Sequence, residues 1–305
     1  MKKLPILLTV LLFCATIECC TKQVGIVSEV PLSVIFAGEG FLTESLTKTT
    51  LDGSDFQWEV DDTVGIYPDA GSQIFFSMKD GAGTSTATFD GGGWGFKENS
   101  VYYSYYPFIA DFYLDRSRIP VSYEGERQNG KDNMDHYGDY DYMYTPGVSA
   151  SSGVLRFSYS HLNCLIKVTV SKLPAGVYRQ VTISSKEDLF VKKGHFNLMS
   201  QAPSVIPDET SKEISLVLDN VSLAADEQAV FYIISAPVAF AGKDIIVSIV
   251  DKDKKQYDCS KSLPVDFVAG KQYGLGCSSW TEVPQSVGIV IKDWEDGGSI
   301  SGGAE

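Results

Sequence analysis

The chain has 305 residues, a formal net charge of −14 and an isoelectric point near 4.7. A surface this acidic repels phosphate backbones, so nucleic acid is excluded as a partner, since its binders carry basic patches. The length exceeds what one hydrophobic core usually serves and points to two domains of ordinary size.

In chain order, Lys2 and Lys3 precede an apolar run from Leu4 to Phe13 that is too short to span a bilayer, and residues 1–19 read as a signal peptide. The signal runs into Ile17-Glu18-Cys19-Cys20-Thr21-Lys22. A Cys directly behind a signal is where a bacterial lipoprotein takes its lipid. Cys20 is the expected lipidation site and Cys19 the reserve, although Glu18 stands where a small residue is usual. No later stretch reaches the ~18 consecutive apolar residues of a membrane span, so the lipid is the only anchor expected.

Helical periodicity is nearly absent from the remainder. Short β-branched and aromatic runs recur instead, broken by Gly, Asp, Asn, Ser and Pro, and the expected fold class is all-β. Candidate strands cover 32–36, 64–67, 73–78, 84–89, 100–106, 153–158, 165–170, 180–184, 213–217, 228–234, 244–250, 271–276 and 286–292. Turn signals such as Asp52-Gly53, Asp80-Gly81 and Asn129-Gly130 fit a sandwich or barrel. In the first strand Leu32, Val34 and Phe36 share a face, and in the last Val287, Ile289 and Ile291 do. The polar, aromatic-rich stretch from Asp111 to Met143 lacks alternation and reads as long loops. Pro146, Gly147 and the Ser-Ala-Ser-Ser run then mark a boundary, which divides the mature chain into an N-terminal β-sandwich domain, 20–150, and a C-terminal one, 151–305.

Chemistry is sparse. His136, His161 and His195 do not stand at metal-ligand spacing, and there is neither a Gly-x-Ser-x-Gly elbow nor a phosphate loop between strand and helix. The oxygens of Asp132 to Asp141 could hold Ca²⁺, but they lack the EF-hand order and read better as a solvated acidic loop. No catalytic residue, metal or cofactor is therefore expected. Cys259 and Cys277 close a short loop, either as a disulfide or as two buried thiols. Trp94, Tyr137, Tyr140 and Tyr142 are aromatics that could stack on sugars if exposed, which leaves a non-polymerising glycan-binding surface lipoprotein as the competing reading.

Several segments, in order, carry a resemblance. Thr47-Lys48-Thr49 is followed by Trp58 and by Asp61-Asp62-Thr63-Val64-Gly65-Ile66-Tyr67. Later come Tyr102-Tyr103-Ser104-Tyr105-Tyr106-Pro107, Asp139-Tyr140-Asp141-Tyr142-Met143-Tyr144, Phe157-Ser158-Tyr159-Ser160-His161 and Val290-Ile291-Lys292-Asp293-Trp294. The set resembles the fimbrillin-like proteins of Bacteroidales. That resemblance implies two transthyretin-like Greek-key β-sandwich domains, export to the outer membrane and cell surface, and a structural or adhesive role without enzymatic activity. It also implies partners: other fimbrial subunits, joined by strand exchange, or surface ligands of host or bacterium. Polymerising members are commonly cut after an Arg between the first strand and the Trp segment. This chain has no Arg before Arg116, and Lys48 stands where relatives often have Arg, which makes it the candidate processing site.

Overall fold

A computed structural model describes residues 58–91, 96–111, 113–150 and 154–284, together with the backbone of 35–38 and 42–44. It is β throughout; among the described residues the one helical turn is a 3-10 turn at Tyr137–Asp139.

The first sheet has seven strands, in the order β1 (Ile35–Gly38), β10 (Arg156–His161), β9 (Met143–Ser149), β6 (Val101–Tyr106), β3 (Thr63–Pro68), β4 (Ile74–Asp80) and β5 (Thr88–Asp90). Its edge strands β1 and β5 approach each other, so the sheet curls around its own core. Trp58 fills that core with no solvent exposure, edge-on to Phe89, Tyr106 and Tyr159 at centroid distances of 5.2, 5.5 and 5.9 Å. Val64 and Ile66 lie in the same core, as their alternation predicts. The opposite face of β3 and β6 is buried too. Tyr67 and Tyr105 point to a second, larger core, and the Tyr67 hydroxyl donates to the Leu114 carbonyl at 2.7 Å. This is why β6 carries tyrosines at consecutive positions: each face of the strand needs its own.

The larger core lies among three further sheets. One has the order β16 (Ala229–Ser235), β11 (Cys164–Val170), β19 (Lys271–Cys277) and β2 (Leu42–Glu44). Another runs β20 (Thr281–Val283), β18 (Gln256–Leu263), β17 (Lys243–Asp251), β12 (Gly176–Ser185), β15 (Glu213–Leu223) and β8 (Arg127–Asn129). The last is β14 (Ile206–Ser211), β13 (Phe190–Phe196) and β7 (Ile119–Ser122). The inward residues of β11, β12, β15 and β17 are mostly Val, Ile and Leu and meet in one cluster. Burying each contributes roughly 1.5–3 kcal/mol.

Two readings of the middle of the chain change. The stretch from Asp111 to Met143 contains β7 and β8, which pair with β13 and β15, so it is not simply loop. Pro146 and Gly147 lie inside β9 at an irregularity where the register skips between Tyr102↔Val148 and Ser104↔Thr145. Such a bulge leaves no ladder N–H for Pro to lack. A Cβ on Gly147 would stand 2.7 Å from Val101 Cγ1, so the glycine there serves close packing as well.

Candidate functional site: the strand edges

An unpaired strand edge presents a row of free N–H and C=O groups, which is where a β-protein can gain or lose a partner strand. Two of the edges here are covered by the N-terminal segment. β1 runs parallel to β10, with Ile35 opposite Arg156, Phe36 opposite Phe157 and Gly38 opposite Tyr159. A few residues on, β2 runs parallel to β19, with Leu42 opposite Lys271 and Glu44 opposite Tyr273. One short stretch of chain thus closes one edge of the curled sheet and one of the four-stranded sheet. Of the expected edge-strand residues, Phe36 falls in β1. Leu32 and Val34 lie outside the described residues, as do Cys20, Lys48, Val287, Ile289 and Ile291.

The other edge of the four-stranded sheet, β16, is closed by side chains. Glu126 Oε2 accepts the Ile234 N–H at 2.8 Å, Gln128 Oε1 the Tyr232 N–H at 2.9 Å, and Asp132 Oδ1 the Val230 N–H at 2.8 Å. In return Gln128 Nε2 and the Asp132 N–H donate to the Val230 carbonyl at 3.2 and 3.0 Å. His136 Nε2 donates to the Tyr232 carbonyl at 3.0 Å, which fixes the proton on that nitrogen. Meanwhile the backbone of β8 pairs in parallel with β15, so a single segment serves two sheets. Burial raises the Glu126 pKa well above the usual carboxylate value, partly opposed by the Ile234 N–H. Burial lowers that of His136, partly opposed by the Tyr232 carbonyl. Among the described residues, Glu126 Oε1 and His136 Nδ1 have no hydrogen-bond partner.

Beside this seal, Asp141 Oδ1 accepts from His161 Nδ1 at 2.8 Å and from Asn163 Nδ2 at 3.0 Å, and the Tyr123 hydroxyl donates to Asn163 Oδ1. A His–Asp pair is half of a catalytic relay, but His161 is 5% exposed and Asp141 fully buried, out of a substrate's reach. It joins the end of β10 to the segment before β9, in keeping with a hydrogen-bonded strand histidine. His195 meets the Asp208 carboxylate at 2.9 Å between β13 and β14 and holds the Asp208 pKa below its usual value.

The acidic segment 132–141 is therefore not merely solvated, because Asp141 and His136 are buried and Asp132 caps a strand edge. Among the described residues, no group of three or more His, Cys, Asp or Glu is arranged to hold a metal. The aromatics proposed to stack on sugars are mostly occupied: Tyr142 is buried, and Tyr137 and Tyr140 pack on the larger core, while Trp94 lies outside the described residues. Asp62 caps the turn before β3 by accepting the Glu59 N–H at 2.8 Å, and it also accepts the Tyr106 hydroxyl at 2.8 Å. Cys164, Cys259 and Cys277 are buried free thiols. Sequence reasoning missed the seal on β16, because its acceptors are ordinary polar residues of an apparent loop.

A curled aromatic sheet joined to an aliphatic β core, with N-terminal strands laid on two sheet edges, is a scaffold built around strand pairing. The chain belongs to the fimbrillin-like family, whose model matches residues 47–294. That family consists of fimbrial structural and adhesion proteins. A candidate cell adhesion protein from Bacteroides uniformis has a similar fold, with a TM-score of 0.54 at 16% identity, over 83% of this chain and 93% of that one. Another from Bacteroides ovatus aligns with a TM-score of 0.53 at 13% identity, over 86% of this chain and 99% of that one. No curated protein sequence matches the chain.

Proposed function

We propose that this chain is a lipid-anchored outer-membrane protein acting in adhesion, an anchor, a terminal subunit or a monomeric member of its family, whose own N-terminal strand fills the edge that a partner's strand would take in β-strand complementation. One observation carries the reading: the N-terminal segment is held by parallel ladders to β10 and β19, the kind of backbone pairing that a strand from another subunit could replace. The other edge of the four-stranded sheet, at β16, is already sealed within the chain, so exchange falls on the N-terminal side. Residues 1–19 act as the export signal and Cys20 carries the lipid. The mature chain is organised as two transthyretin-like Greek-key sandwiches whose strands cross the expected boundary near residue 150, with β10 in the curled sheet and β7 and β8 paired to strands of the larger core. The absence of any Arg before Arg116 favours an uncut N-terminal strand, and a filled edge accepts no donor.

The intact mass of the surface-exposed form tests this. A lipidated chain starting at Cys20 is expected, and Cys20→Ala should release the protein from the membrane fraction. A chain starting at Thr49, with SDS-resistant ladders, would instead make it a stalk subunit processed after Lys48. Retention in membranes of both the Cys20→Ala and Cys19→Ala variants would remove the lipid anchor from the proposal.

A further inference from the structure

Cys259 lies on β18 in the six-stranded sheet, and Cys277 ends β19 in the four-stranded sheet. Both point into the larger core, 3% and 1% exposed, and the two thiols are within hydrogen-bond reach of each other. β18 and β19 are consecutive strands, so the chain crosses from one sheet to the other between them. Cys164 is occupied elsewhere: its thiol donates to the Ser235 and Ala236 carbonyls at 3.4 and 3.6 Å.

We propose that Cys259 and Cys277 are an inter-sheet dithiol that closes to a disulfide while the chain folds in oxidising surroundings, tying the β18–β19 crossover. The oxidant is a disulfide, either that of a thiol–disulfide oxidoreductase or a small-molecule one. One cysteine thiolate attacks it and forms a mixed disulfide; the other thiolate then displaces the remaining thiol. Two S–H bonds are lost and one S–S bond is formed. The two electrons reduce the oxidant's disulfide to two thiols, which also take up the two protons. Closure has to precede burial, because the attacking species is the thiolate and burial pushes the Cys277 thiol pKa up in the folded protein. Once closed, the bond is shielded by the same packing. Its formation in the cell rests on the export proposed above, whereas its formation in vitro does not.

The full chain, reduced and unfolded in guanidinium, is refolded with mixed oxidised and reduced glutathione and digested with trypsin without reductant. The peptides 256–261 and 272–292 should appear as one species that separates on reduction. The oxidised protein should melt about 5–10 °C above the chain refolded without oxidant, the effect of closing so short a loop. Folded, reduced chain held in the same mixture should remain unlinked over the same time; equally fast linking there would overturn closure before burial. The chain exported to an oxidising periplasm is digested in the same way, so that poor refolding does not decide the matter. Recovery of the two peptides unlinked from both preparations, or of either joined to the Cys164 peptide, would overturn the pairing.

Discussion

Around Trp58, eight of the fourteen buried apolar residues described are aromatic, and one curled sheet encloses them. The core between the four- and six-stranded sheets is instead built largely from Val, Ile and Leu spread along many strands. Concentrating burial in a few large rings makes each ring costly to lose, whereas a distributed aliphatic core shares the loss. The edges differ in the same way. The curled sheet ends on β1, an added N-terminal strand, while β16 is sealed by side chains of the chain's own middle segment. The four-stranded sheet has both kinds of edge, since its far side ends on β2 of the same N-terminal segment.

The largest effect should come from Trp58→Ala, which empties the centre of three edge-on ring contacts. A loss of about 3–5 kcal/mol is expected in urea titrations, against about 0.5–1.5 kcal/mol for Ile166→Val at an equally buried site of the larger core. Equal costs would break the comparison.

Two strand glycines sharpen it. A Cβ on Gly65 of β3 would stand 2.1 Å from Tyr105 Cε1, its neighbour across the ladder, so Gly65→Ala forces that ring aside. The expected cost is about 1–3 kcal/mol. In β19 nothing lies within 4 Å of a Cβ on Gly274, and Gly274→Ala should be neutral or stabilising by up to ~1 kcal/mol, through a less flexible unfolded chain. Differential scanning calorimetry of the pair checks both signs.

Much of the fold was legible in the sequence, unevenly. Strands such as β3, β6, β11 and β17 announce themselves because their β-branched and aromatic runs face a core. β13, with Lys192-Lys193-Gly194 at its centre, and β14, exposed along nearly its whole length, carry no such run. Their places are set by the neighbours they pair with. In β18 polar residues alternate with Tyr257, Cys259 and Leu263, and the polar ones dominate the reading. Pro146-Gly147 reads as a linker because sequence alone does not reveal a bulge opposite Tyr103. The resemblance pointed to the N-terminal strand. Glu126, Gln128 and Asp132, by contrast, reveal their role only when β15 and β16 are seen on either side of them.

That seal predicts a pH signature. The folded pKa of Glu126 is raised from 4.5, so above pH 4.5 the unfolded chain releases its proton first and stability falls as pH rises. The folded pKa of His136 is lowered from 6.5, so below pH 6.5 the unfolded chain takes up a proton first and stability falls as pH drops. Between these values the two slopes oppose each other, each up to about 1.4 kcal/mol per pH unit. Glu126→Gln should leave the histidine slope and lose stability on acidification from pH 6.5. His136→Gln should leave the carboxylate slope and lose it as pH rises from 4.5. The raised pKa values of Asp62 and Glu59 add to the carboxylate slope in every variant, so each slope is read as the difference between a variant and the unmutated chain. Parallel profiles for the two variants would show that neither group titrates differently on folding.

The smallest effect belongs to the outward side of the same strand. Arg127 Nη1 meets the Asp219 carboxylate at 2.7 Å with 59% and 34% of the two side chains exposed, a geometry that water and salt largely screen. Arg127→Ala should cost under about 1 kcal/mol, less still in high salt, because the β8–β15 ladder is backbone and remains. Its neighbour Gln128 is fully buried and bonded to both Tyr232 and Val230, and Gln128→Ala strands those edge groups without water. A loss of about 1–3 kcal/mol follows, insensitive to salt. If Arg127→Ala costs as much as Gln128→Ala, then β8 is held by its ion pair rather than by the seal, and the β16 edge is more open to an incoming strand than its hydrogen bonds imply.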